Sequence, residues 1–175
     1  MVETLTGMKR KVCLIGDEGI GKTSLVRCFA HRVYDEAYIR TVGTMVSKRE
    51  VSVPEAGHIV TLLIWDISGQ RDFVHLFKEA YFKHVRGIVA VFDLTRSETF
   101  ESLHEWLGET DASAPQVPTI LLANKADLTG ERRIADSQVK GFCSPRSLPW
   151  MKTSARTGEN VEAAFRHLAG EMARR

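Results

Sequence analysis

The chain has 175 residues, 43% of them hydrophobic, and a formal net charge of +2, enough apolar material for one core in a single domain spanning residues 1–175. Charges of both signs are scattered rather than gathered on a basic face, which argues against nucleic acid as a partner. Three cysteines, Cys13, Cys28 and Cys143, do not make a disulfide framework and read as reduced thiols of a cytoplasmic protein, the first two as core packing. No run is long and apolar enough to span a bilayer. Residues 1–11 lack the apolar stretch of a secretory leader, and Met172-Ala173-Arg174-Arg175 offers no cysteine to prenylate, so no membrane anchor is expected within this chain.

Residues 1–8 are expected to be loosely ordered. Residues 11–15 form an apolar run suited to a buried strand, and a glycine-rich turn follows. Residues 22–32 read as a helix with Leu25, Val26, Cys28 and Phe29 on its apolar face, and residues 34–44 as a loop. Residues 47–53 and 58–65 flank Pro54-Glu55-Ala56-Gly57, the signal of a β-hairpin. Beyond it lie a helix over 73–84 and a buried strand over 87–92. Ser97 stands as the N-cap of a helix with the stripe Phe100, Leu103, Trp106 and Leu107. Residues 119–123 are another buried strand, 136–143 a weak helix and 150–153 a short strand. Asn160 opens the last helix, whose stripe is Val161, Ala164, Phe165 and Leu168. Strands alternating with helices call for an α/β fold whose mostly parallel sheet is covered on both faces, with ligands at the carboxyl ends of the strands.

Three motifs fall at such ends. Gly16-Asp17-Glu18-Gly19-Ile20-Gly21-Lys22-Thr23 fits G-x-x-x-x-G-K-[ST] between a strand and a helix. Its backbone N–H groups can cradle phosphates, Lys22 can reach the β- and γ-phosphates, and the Thr23 hydroxyl can ligate magnesium. Asn124-Lys125-Ala126-Asp127 follows the strand at 119–123. The Asp127 carboxylate can accept from both N1–H and the 2-amino group of guanine, donors that adenine lacks there. The Lys125 stem can lie along one face of the base, and Thr153-Ser154-Ala155 can offer backbone donors to the base oxygen. Asp66-Ile67-Ser68-Gly69-Gln70 follows the strand at 58–65. Asp66 is placed to hold magnesium through a water, Gly69 to offer its N–H to the γ-phosphate, and Gln70 to orient an attacking water. Thr41 is the natural second hydroxyl for the metal.

With these motifs in this order, the chain resembles the Ras superfamily of small GTPases, and within it the Rab-type branch, from about Lys9 to the last helix. Phe92-Asp93-Leu94-Thr95 and Gly158-Glu159-Asn160-Val161 extend the likeness. The resemblance implies a P-loop NTPase three-layer fold: a six-stranded sheet, one strand antiparallel through the β2–β3 hairpin, with helices on both faces. It implies a monomeric GTP-binding switch that binds GTP or GDP with Mg2+ and hydrolyses GTP slowly when alone. The catalytic set is then Gln70, Lys22, Thr41 and Gly69, and the metal set Thr23, Thr41 and Asp66. Nucleotide contacts are expected from Gly16, Glu18, Gly19, Ile20, Gly21, Lys22, Thr23 and Ser24. They continue through Tyr34 against the guanine, Tyr38 over the phosphates, Thr41, Gly69, Asn124, Lys125, Asp127, Leu128, Ser154, Ala155 and Arg156. Switch segments over 34–45 and 68–81 would be read by exchange factors, GTPase-activating proteins and effectors.

The chain departs from that pattern at Glu18, where a small residue is usual, and at Ser68, Arg71 and Val46. Glu18 and Ser68, beside the reacting phosphate, are expected to slow hydrolysis, whereas Arg71 as a cation in cis would push it the other way. A GTP-loaded platform that barely hydrolyses is therefore the alternative reading. The six histidines lack metal-ligand spacing. Trp65 and Trp106 read as core, Glu101 with Glu105 as a wet helix face, and Lys9-Arg10-Lys11 as a solvated cluster.

Overall fold

The computed structural model of the protein describes residues 5–32, 43–67 and 69–175. The expectations placed on Tyr34, Tyr38, Thr41 and Ser68, and on the side chain of Arg71, lie outside these described residues.

The strands are β1 (Thr6–Ile15), β2 (Thr44–Val53), β3 (His58–Ile67), β4 (Val85–Asp93), β5 (Thr119–Asn124) and β6 (Trp150–Lys152). They form one sheet in the order β2-β3-β1-β4-β5-β6. Every neighbouring pair is parallel except β2 with β3, the expected hairpin. The helices are α1 (Lys22–His31), α2 (Arg71–Phe82), α3 (Ser97–Glu101), α4 (Leu103–Ser113), α5 (Asp136–Cys143) and α6 (Val161–Ala173). No helix among the described residues is long and apolar enough to cross a membrane.

The pleat divides the core. Val12 and Leu14 of β1 join Val89 and Val91 of β4 beneath α1 and α6, while Cys13 and Ile15 join Ile88, Ala90 and Phe92 beneath α4 and α5. Successive residues of one strand thus feed opposite layers, so both central strands read as unbroken apolar runs. Cys13 is wholly buried, and burial pushes its thiol up to about 12. On the α1/α6 face Phe29 stacks on Phe165 with ring centroids 4.1 Å apart. The Arg49 guanidinium lies 4.2 Å from the Phe29 centroid and pairs with Glu162 at 2.8 Å.

Three details correct the reading from sequence. Residues 6–8, expected to be loosely ordered, extend β1, because β3 is long enough to pair Thr6 with His58 and Met8 with Val60. The helix expected after Ser97 is broken into α3 and α4 at Ser102, and Arg96 rather than Ser97 holds the N-cap position. Lys11 is not merely solvated. Its Nζ donates to the carbonyls of Ala80 and Lys83 at 3.1 Å each, at the carboxyl end of α2, and lies 3.8 Å from the Trp65 ring centroid. A cation there complements the negative end of the helix.

Because Phe165 is fully buried and stacked, Phe165→Ala is expected to lower stability by about 3–5 kcal/mol. Urea unfolding of the nucleotide-loaded protein measures it. A loss below about 1 kcal/mol would mean the layer closes around the gap.

Candidate nucleotide-binding site

β1 ends at Ile15 and α1 begins at Lys22, so residues 16–21 make the turn between strand and helix. No side chain caps α1 at Gly21, which leaves its first N–H groups available to an anion. Lys22 is only 6% exposed, and its Nζ donates to the carbonyls of Gly16 and Asp17 at 2.7 Å each. Burial pushes its pKa down to about 8, while Asp66, Asp17 and Glu18 favour the charged form. Such an ammonium can also donate to phosphate oxygens.

Asp66, at the end of β3, is 1% exposed. Its Oδ2 accepts from Thr23 Oγ1 at 2.5 Å, whereas its buried Oδ1 has no partner among the described residues. Burial raises its pKa, against the Thr23 hydrogen bond and the Lys22 charge. A buried carboxylate oxygen left unmet beside a hydroxyl is a donor set that suits a hard divalent cation.

The loop after β5 is fastened to the phosphate loop, with Asn124 Nδ2 donating to the Ile20 carbonyl at 2.8 Å. Asp127 Oδ1 accepts from Ser154 Oγ at 2.6 Å, joining the two loops expected to read the base. Lys125 Nζ lies 2.6 Å from Oδ2 of the wholly buried Asp93, which holds its stem in place. Gly21, Ser24, Asn124, Lys125, Asp127, Leu128, Ala155 and Arg156 line one cavity of about 390 Å³. Residues more than a hundred positions apart are thereby brought to one rim.

The remaining expected residues are placed as follows. Gly69 abuts the phosphate loop so closely that a Cβ there would lie 2.4 Å from Glu18 N and 2.5 Å from the Asp17 carbonyl carbon. Gln70 immediately precedes α2 and is half-buried. The Glu18 carbonyl accepts from Arg96 at 3.1 Å.

A buttress behind the loop escaped the sequence reading. Asp17 accepts from Ser102 Oγ at 2.7 Å and from Trp106 Nε1 at 2.8 Å, one on each carboxylate oxygen. Trp106 is buried, as expected of a core residue, yet its N–H serves the loop. The signal for it was a carboxylate at a wildcard position of the motif and an indole on a helical stripe that needed an acceptor.

A glycine-rich cradle with a buried lysine, at the carboxyl edge of a parallel sheet, defines a P-loop nucleotide-binding protein. The family model for the Ras family matches residues 11–174. The chain is 36% identical over 163 residues to GTP-binding protein YPTM2 of Zea mays, covering 93% of this chain and 79% of the relative. The chain belongs to the Ras family. It is a small GTPase of the Rab-type branch, a switch that binds GTP and hydrolyses it to GDP.

Trp106→Phe keeps the ring and deletes the N–H. GDP release is expected to quicken by about tenfold, the worth of one hydrogen bond to a charged group. Stopped-flow release of fluorescent GDP measures it; an unchanged rate would show that the buttress has no hold on the loop.

Proposed function

We propose that the cradle around Lys22 holds the β- and γ-phosphates, that Asp127 with Ser154 and Ala155 reads guanine, and that Gln70 orients the attacking water. The bond from Asn124 to the Ile20 carbonyl carries this reading, because it sets the base-reading loop at a fixed distance from the phosphate cradle. Thr23 and Thr41 would hold Mg2+ through their hydroxyls and Asp66 through a water. The unmet Oδ1 of Asp66 supports that assignment for the two described members of the set. When bound, the ion neutralises charge on the β- and γ-phosphates. Gly69 presents its N–H to the γ-phosphate, and its close approach to Asp17 and Glu18 supports that role.

The protein acts as a cytoplasmic monomer whose switch segments are read by exchange factors, GTPase-activating proteins and effectors. Met45, Val46, Leu76 and Phe77 are exposed to between 47% and 76% on β2 and α2. Large apolar side chains left in water there suit a partner surface rather than a closed core.

Two measurements test the assignments. Inosine diphosphate lacks the 2-amino group, so the parent should bind GDP at least about tenfold more tightly, and Asp127→Ala should erase most of that difference. A preference that survives the substitution would remove Asp127 from base recognition. Gln70→Ala should slow single-turnover GTP hydrolysis by about a hundredfold, the lower range for a positioned catalytic group, with GTP affinity unchanged. Hydrolysis at the parental rate would assign the water to another residue.

A further inference from the structure

At the opposite edge of the sheet, Gly87 lets α6 settle onto β4. A Cβ there would meet the Met172 sulfur at 2.7 Å and Leu168 Cδ2 at 3.2 Å. Just before it, Arg86 is the extra residue of a bulge. β1 pairs Lys11 with Val85 and Val12 with Gly87, which leaves Arg86 without a partner on β1. Bulges re-aim side chains, and Arg86 is exposed between two buried neighbours. It lines a cleft of about 390 Å³ together with Arg10 of β1 and Arg175 just past α6, against Pro115, Val117 and Met172.

No Asp or Glu side chain among the described residues lines this cleft. Among the described residues none of the three guanidinium groups is in an ion pair, whereas Arg96, Arg132, Arg166 and Arg174 each pair with a carboxylate. Arg10 donates to the Lys9 carbonyl at 3.3 Å and Arg175 to that of Gln116, bonds that leave most of the five donors on each guanidinium unused. The carboxyl end of α6 supplies only about half a negative charge, and adding one full charge for the Arg175 α-carboxylate still leaves the three guanidinium groups in excess. Like charges in a concave site focus their field outward. The adjoining cavity, of about 1020 Å³, differs in having Asp111 and Glu171 beside Arg146 and His167.

We propose that the cleft between Arg10, Arg86 and Arg175 binds a phosphate-bearing ligand carrying two or more negative charges. The planar forks of arginine match phosphate oxygens in pairs. The nucleotide site lies at the carboxyl ends of the strands and this one at the amino ends of β4 and β5, about 25 Å away along a strand of such length. The ligand is therefore additional to the nucleotide. It is either a soluble polyphosphate or the headgroup of a phosphorylated lipid.

The test uses the GDP-loaded chain with magnesium in excess. Pyrophosphate is titrated against amide NMR shifts at constant ionic strength. Saturable shifts at Val117 and Met172 are expected, without change at Gly21 and Asn124. Arg86→Gln and Arg10→Gln should each weaken binding by about tenfold, and Arg86→Lys should lie between. Co-sedimentation with phosphatidylcholine vesicles containing phosphatidylinositol bisphosphate, against charge-matched phosphatidylserine vesicles, separates the sources. A preference for the former that Arg86→Gln abolishes assigns the lipid headgroup. Saturable pyrophosphate binding without that preference assigns a soluble ligand. Shifts that never saturate, or variants that bind as tightly as the parent, would overturn the site.

Discussion

Lys22 carries an ammonium group into a place with almost no water, and the rest of the site is arranged around that fact. Two loop carbonyls accept its hydrogen bonds, and carboxylates on β3 and in the loop favour its charged form. Desolvation of this kind is costly unless the charge is met. Phosphate oxygens are the complement that the proposed function gives this lysine. Its loop keeps its shape because it is gripped from three sides: by Asn124 through Ile20, by Arg96 through Glu18, and by Ser102 and Trp106 through Asp17.

The fold supplies those grips cheaply in chain length. Parallel strands buried on both faces send every loop that matters to one edge, so β1, β3, β5 and β6 each end beside the others' motifs. The family's switching chemistry then needs only short excursions from a rigid sheet. The layers on either side differ in duty. The α1/α6 face is closed by stacked rings and the Arg49–Glu162 pair. The α4 face both fills the core and reaches up to brace the phosphate loop.

What could be read beforehand was whatever is local. Apolar runs of strand length, glycines at a turn and a lysine opening a helix lie within a dozen residues, and the elements they mark were found within a few positions. The place of Asp127 at the rim was legible because its motif directly follows β5. The contact between Asp17 and Trp106 joins residues 89 positions apart, and no periodicity encodes it. The same holds for Lys11 at the end of α2 and for the bulge at Arg86, each set by how neighbouring elements meet. The break at Ser102 escaped notice because the apolar stripe continues across it, while the serine hydroxyl turns to Asp17.

The Lys11 contacts give α2 a fixed end. With the carbonyls of Ala80 and Lys83 held to β1 and Trp65 beneath the same ammonium, the helix works as a lever with its fulcrum at Lys11. A displacement that begins at Gly69, against the phosphate loop, enters at the far tip. Travel would then be greatest at Gly69 and least at the end tied to β1.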